Sequence, residues 1–295
     1  MDHFRDSVLV FFSTPVYVLV IGLEIFFSAW HHLNLYSRKG TFANIYLMLL
    51  NMGLDILMRA TCLYILNFFF QYKIVHSYPS VLLYWLFLFV AEDFMYYWLH
   101  RVDHFCRLFW AVHVTHHSSE EFNFTVGFRS SVFQPLYRFV YFIPLSLLGF
   151  KALDILFMYS ATQIYGILVH TQTVKKLGWI EYFLVTPSHH RVHHANNINY
   201  LDRNMGMVLI IWDKLFGTFQ KEEDSDPVRF GLTKKINTYN PANIVTHEWK
   251  VIASDLRKDI SFKQKLKYLL GPPGWSHDGS SKTSAQLRKE LRQNS

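Results

Sequence analysis

The segment TPSHHRVHHANN, residues 186–197, places His189, His190, His193 and His194 within six positions. Two further clusters lie upstream, HRVDH at 100–104 and HVTHH at 113–117, and His170 stands alone between them and the last. Of sixteen histidines, ten fall between 100 and 194. On a helix, positions i, i+3 and i+4 share a face. His100/His104, His113/His116/His117 and His190/His193/His194 can therefore each aim a set of ring nitrogens at one point, and His170 makes nine donors. A pH switch needs no such repeated spacing, and chance would not repeat it three times, so a metal centre is the reading. Nine imidazoles exceed the needs of one ion and suit two. Zinc takes four protein ligands in structural sites and usually three in catalytic ones. Imidazole also suits iron, and two irons are a means of activating dioxygen toward an unactivated C–H bond. Soluble di-iron carboxylate proteins use a Glu-x-x-His motif. No glutamate of this chain has a histidine three residues later, so the expected centre is of the histidine-rich kind.

The elements that carry these clusters are apolar. The chain has 295 residues, 51% hydrophobic and 18% aromatic, with 17% charged, below the roughly 25% of a soluble domain. The apolar residues come in blocks at 7–30, 42–70, 78–99 and 132–169, in which charges are sparse: Glu24 alone in the first, Asp55 and Arg59 in the second. About 20 mostly apolar residues cross a bilayer as a helix. Three blocks hold one span each and the last holds two, turning near 149–154. The expected fold is all-α, a polytopic membrane protein with about four to five transmembrane helices and a cytoplasmic histidine-rich cap over two metals. A soluble helical bundle is the lesser alternative. The divisions are 1–78, the N-terminal transmembrane helices; 79–220, the histidine-bearing domain; and 221–295, a cytoplasmic tail.

Five spans set the sides. With the amino terminus in the lumen or periplasm, residues 100–131 and everything from 171 onward face the cytoplasm, and so do all ten of those histidines. Arg38, Lys39, Lys175 and Lys176 agree with the excess of basic residues on cytoplasmic loops. The net charge of +7 lies outside the spans, and Arg257, Lys258, Lys263, Lys265 and Lys267 suit an anionic leaflet. No nucleic-acid motif accompanies these charges, so nucleic acid is not an expected partner. The amino-terminal stretch lacks a basic n-region and a cleavage site, and the first span is expected to act as the insertion signal. Cys62 falls inside a span and Cys106 close to the membrane surface, which gives no disulfide framework. The stretch after Pro272, rich in Ser, Gly and Lys, is expected to be a mobile terminus.

Around the clusters, Glu92 and Asp93 lie about two turns before His100. They are expected either to accept the free N–H of a liganding histidine or to pair with Arg101 or Arg129. Glu120 either does the same or caps the following segment, and Asp103 is expected to be a salt-bridge partner turned off the ligand face. Tyr96, Tyr97, Trp98 and Trp110 read as interface and packing residues, with the wall of an acyl channel as the alternative. Residues 204–219 read as an interfacial helix closing the site and ending at Gly217.

HRVDH, HVTHH and HHRVHH resemble the three histidine boxes of the fatty acid hydroxylase / sterol desaturase superfamily of integral membrane oxidases. The longer stretches EDFMYYWLHRVDH, FWAVHVTHHSSEEFNFTVGFRSS and LIIWDKLFGTF extend the resemblance over about residues 85–275, and they are similar to its alkylglycerol-cleaving branch. The resemblance implies two iron ions held by His100, His104, His113, His116, His117, His170, His190, His193 and His194. His189, just before the third box, is left a supporting or structural role, and Asn123 and Asn196 match polar positions of the pattern. It further implies an O2-dependent monooxygenase acting on a lipid, cleaving the ether bond of alkylglycerols with electrons from tetrahydrobiopterin or a redox protein. A sterol or fatty acyl hydroxylase or desaturase is the alternative within the superfamily, and a non-catalytic zinc cage is the alternative outside it. The expected location is the endoplasmic reticulum membrane, or the inner membrane of a bacterium.

Overall fold

The computed structural model describes residues 2–237 and 239–294. Among them the chain is helical, with two isolated β-bridges and no strand. Three long helices come first, α1 (Asp2–Trp30), α2 (Arg38–Phe70) and α3 (Val81–Phe105). Serine side chains start two of them: Ser37 Oγ accepts from Gly40 N at 3.0 Å and Ser80 Oγ from Leu83 N at 3.2 Å. Such caps satisfy the otherwise unpaired amides of a first turn.

All three are long and apolar enough to cross a membrane, and their outward faces agree. Leu57 of α2 and Leu82 of α3 are 76% and 77% exposed. Water would make that surface costly, whereas hydrocarbon does not. The one charge of the first block has a local use. Glu24 is buried, accepts from Phe124 N at 3.0 Å, and bonds the hydroxyls of Tyr36 and Thr171. It thereby ties α1 to the two segments that flank the histidines.

The block at 132–169 does turn where expected, but its two helices are unequal: α5 (Phe139–Leu147) has nine residues and α6 (Ala152–Leu168) has 17. Nine residues rise only about 14 Å, against roughly 30 Å of hydrocarbon. The reason is that the residues ahead of α5 are drawn into 3-10 turns, 124–128 and 134–136, which pack against the histidine region. At the hairpin tip Gly149 has φ +91°, and a Cβ there would lie 2.2 Å from Val75 O. Ile74 N donates to Leu147 O at 2.8 Å, which holds the tip against the loop between α2 and α3.

The cap is made of short pieces. Helix α4 (Arg107–His117) follows α3 after the single extended residue Cys106, so the two helices meet at a corner. Then come α7 (Pro187–His194), α8 (Ile211–Phe216), α9 (Pro241–Leu256), α10 (Phe262–Leu270) and α11 (Ser284–Asn294). The stretch after Pro272 thus differs from the mobile terminus its composition suggested. Helix α11 forms, and its Arg288 bonds the carbonyl of Leu201 at 2.5 Å. The helix expected over 204–219 is also shorter. Residues 204–210 are irregular and only α8 is helical, ending at Gly217 with φ +74°. Asp213 causes the irregularity: its buried carboxylate accepts from Met205 N, Gly206 N and Thr218 Oγ1 at 2.6–2.8 Å. Those bonds hold the chain in a loop.

Candidate metal centre

The α3–α4 corner sets the geometry. It turns His100 and His104, on the last turns of α3, toward His113 and His117 on α4. Helix α7 and His170, just past α6, close the remaining sides. The nine histidines form two groups, in each of which the ring nitrogens lie within 4.8 Å of one another. One comprises His100, His104, His113, His117 and His193, and the other His116, His170, His190 and His194. The helical clusters were expected to aim each set at a single point; the structure divides two of them. The i, i+4 pairs His113/His117 and His190/His194 each stay together, but the adjacent residues His116 and His193 go to the opposite group. Successive helix positions are rotated by about 100° (3.6 residues per turn), so the dipeptides His116-His117 and His193-His194 each feed two sites at once. The sites adjoin, with the rings of His117 and His194 stacked at 4.4 Å.

Six rings are oriented through Nδ1. His100 Nδ1 donates to Met205 O at 2.8 Å, His193 Nδ1 to Arg203 O at 2.9 Å, His116 Nδ1 to Arg129 O at 3.0 Å and His170 Nδ1 to Gly166 O at 2.7 Å. Nδ1 of His104 lies 3.2 Å from Asp202 Oδ1, and that of His113 lies 2.9 Å from Ser131 Oγ. A carbonyl only accepts, so the proton is on Nδ1 and the Nε2 lone pair faces inward. His116 and His170 then turn two lone pairs toward each other at 3.3 Å. The Nε2 atoms of His104, His117 and His193 are buried without a hydrogen-bond partner. Such lone pairs repel unless a cation lies among them. This donor set fits transition-metal ions held by neutral imidazole, and the outer hydrogen bonds fix ring orientation as metal sites require. Burial works in the same sense. It holds the pKa values of His113, His117, His190, His193 and His194 well below the usual imidazole value, and that of His116 at about 4.

His189 belongs to neither group. Its Nδ1 accepts from Thr186 N at 3.4 Å, closing the first turn of α7, which is the structural role expected.

The neighbours differ from expectation. Glu92 and Asp93 do not touch the histidines, and they pair with neither arginine. Glu92 accepts from Thr162 at 3.3 Å, while Asp93 accepts from Val208 N, Leu209 N and Trp212 Nε1 at 2.9–3.1 Å. Arg101 instead bonds the Tyr97 hydroxyl, and Arg129 bonds Thr115 O, Ser118 Oγ and Asn44 Oδ1. Asp93 thus anchors the loop whose Met205 carbonyl orients His100, an indirect route to the same end. Asp103 is fully buried, accepts from Gln134 Nε2 and Tyr137 OH at 2.8 and 2.7 Å, and lies at ion-pair distance, 3.7 Å, from Nδ1 of His113, so it approaches a ring of the five-histidine group instead of turning off the ligand face. Glu120 is exposed; the adjacent Glu121 reaches Ser37 N at the start of α2. Asn123 caps the turn at 124–128 and bonds Leu35 O, and Asn196 bonds Phe230 O; neither contacts a ring nitrogen. Tyr97 and Trp98 pack against their neighbours, whereas Tyr96 lies 5.6 Å from the His100 ring and Trp110 5.1 Å from the His104 ring.

Several contributors carried no signal in the sequence. Asp202 lies 98 residues from His104. Gly127 allows a close approach: a Cβ there would stand 3.1 Å from Ile167 Cα and 3.2 Å from His170 Nδ1. A cavity of about 580 Å³ reaches the centre, with His104, His117, His193 and His194 at its floor. Trp110, Val114 and the C-terminal segment form its walls.

Residues 85–218 match the family model described as fatty acid hydroxylase. This chain resembles that family over those residues. It is 38% identical over 210 residues to alkylglycerol monooxygenase from Homo sapiens, a match covering 70% of this chain and 45% of that protein. It is 30% identical to an ornithine lipid hydroxylase from Rhizobium tropici, covering 50% of this chain and 45% of the relative. It is 29% identical to a Delta(7)-sterol 5(6)-desaturase from Gibberella zeae, covering 47% and 42%. The chain therefore spans less than half the length of these relatives. No solved structure matches. Both groups of histidines lie inside the matched domain.

Proposed function

We propose that this protein is a di-iron, O2-dependent membrane monooxygenase that cleaves the ether bond of alkylglycerols by hydroxylating the carbon next to the ether oxygen. The observation that carries the metal part is the convergence of inward-facing Nε2 lone pairs in two adjoining groups. His100, His104, His113, His117 and His193 would hold one ion, and His116, His170, His190 and His194 the other. Bound there, two irons would supply the reductive activation of dioxygen that an unactivated C–H bond requires.

The chain's own residues do the remainder. The carbonyls of Met205, Arg203, Arg129 and Gly166 hold the tautomers, and burial disfavours protonation of His113, His116, His117, His190, His193 and His194. The cavity lets a lipid carbon approach His104, His117 and His193, and Trp110 and Val114 contribute apolar surface to its lining. One oxygen atom of O2 enters the C–H bond; the other leaves as water, with two electrons and two protons supplied from outside. The resulting hemiacetal collapses as its hydroxyl proton passes to the ether oxygen, giving an aldehyde and glycerol. The electrons would come from tetrahydrobiopterin or a redox protein on the cytoplasmic side of the endoplasmic reticulum membrane, or of a bacterial inner membrane. The relatives named for alkylglycerols match at 36–38% identity over 65–71% of this chain. That is above the lipid hydroxylase and sterol desaturase relatives and supports the ether over the sterol or acyl reading. Reconstituted protein given an alkylglycerol, dioxygen and each donor in turn should release fatty aldehyde. A hydroxylated or desaturated sterol or acyl chain, formed without aldehyde, would overturn the ether assignment.

A further inference from the structure

Helix α10 has two faces of different kinds. Inward, Tyr268 is buried, its hydroxyl 2.8 Å from His277 Nδ1, and it lines the cavity that reaches the histidines. Outward, Phe262, Leu266 and Leu270 recur every fourth position and are 79%, 44% and 50% exposed. Lys263, Lys265 and Lys267 are interleaved with them, and the helix carries no carboxylate. An apolar stripe edged by lysines is the pattern of a helix lying in a membrane surface, its apolar side among acyl chains and its cations near anionic headgroups.

Its level on the molecule agrees. The carbonyl of Gly271, which ends α10, accepts from Arg107 N at 2.9 Å, and Cys106 Sγ approaches Leu269 O at 4.0 Å. Cys106 and Arg107 directly follow the membrane-crossing helix α3, so α10 lies where α3 leaves the hydrocarbon. Phe105, the last residue of α3, is itself exposed there.

We infer that α10 is an interfacial anchor docked on an anionic leaflet of the same membrane that α1–α3 cross. Phe262, Leu266 and Leu270 enter the headgroup–acyl boundary, and the helix forms the sill between that leaflet and the cavity. The inference holds whether or not the centre turns over a lipid, and its test needs no turnover.

Full-length protein in a Cys62→Ala, Cys106→Ser background, with Leu266→Cys carrying an environment-sensitive fluorophore, is placed in nanodiscs containing brominated phosphatidylcholine. A label at Lys289→Cys, on exposed α11, serves as the aqueous reference. The Leu266→Cys label should be blue-shifted and quenched severalfold more than the reference. Adding phosphatidylserine should deepen the quenching, and replacing Lys263, Lys265 and Lys267 by Gln should reverse that gain. Quenching no greater than at the Lys289→Cys reference would overturn the inference. So would cross-linking of two copies through Leu266→Cys without lipid quenching, which would assign the face to a dimer.

Discussion

The two histidine groups are built from the same residue type but are held by different parts of the fold. In the group of four, His170 donates to the carbonyl of Gly166 one turn back, and His116 to the carbonyl of Arg129, whose side chain is locked to α4 and α2. In the group of five, three rings depend on one irregular loop: Asp202 for His104, Arg203 O for His193 and Met205 O for His100. That loop is in turn held by Asp213 through its amides, and Asp93 holds the residues just beyond it. The group of five also supplies three of the four histidines at the cavity floor. The site that supplies most of the cavity floor is therefore tuned by one loop, and the four-histidine site by the α6 backbone and the carbonyl of Arg129, away from that loop. Carboxylate changes around the loop should act on one group and leave the other.

The largest expected effect comes from removing a ring. His193→Ala should abolish turnover and release the metal of the five-histidine group, while the four-histidine group keeps its own and the protein stays inserted. Metal content per chain read alongside activity checks this; near-normal activity in folded protein would remove His193 from the set. Asp202→Asn leaves His104 in place but removes the carboxylate that orients it. Losses of such outer partners cost about 10–100-fold in metal affinity or activity, and competition with a chelator should show the loss confined to the five-histidine group. Gly127→Val is the reciprocal test, because its side chain would press on Ile167 and the His170 ring. Metal should be lost from the four-histidine group first, with a smaller fall than for His193→Ala.

The smallest and broadest effect is that of pH. Free imidazole has its pKa near 6.5, while burial depresses that of His116 to about 4 and those of His113, His117 and His193 in the same direction. The unfolded chain then binds protons that the folded one refuses, so stability is fully present above about 6.5 and falls as pH drops from there toward about 4. Metal retention followed across that interval should fall monotonically, and the Asp202→Asn variant should release metal at the higher pH.

The ring nitrogens were legible in the sequence because helical spacing and residue type both announce them. The division into two groups was not. It depends on where the corner at Cys106 aims α4, and the orienting atoms are mostly carbonyls, which every residue has. Asp202 and Gly127 carry no local pattern that distinguishes them from loop residues. The apolar blocks located α1, α2 and α3 correctly. They overstated α5, because the turns ahead of it are recruited by Ser131 to His113 and by Gln134 to Asp103. Glu92 and Asp93 stand out in the sequence as carboxylates near a span end, and the structure turns both away from the rings, toward Thr162, the amides of Val208 and Leu209 and the indole of Trp212.

Metal analysis of anaerobically purified, full-length protein tests the central claim most directly. The two groups predict two iron ions per chain, about 4–6 Å apart, since nine ligands shared between them set the ions at or somewhat beyond the roughly 3.5–4 Å of two-metal sites, with imidazole nitrogen dominating the absorption-edge fine structure. A single tightly bound ion per chain, or a well-folded protein that takes up none, would contradict the account.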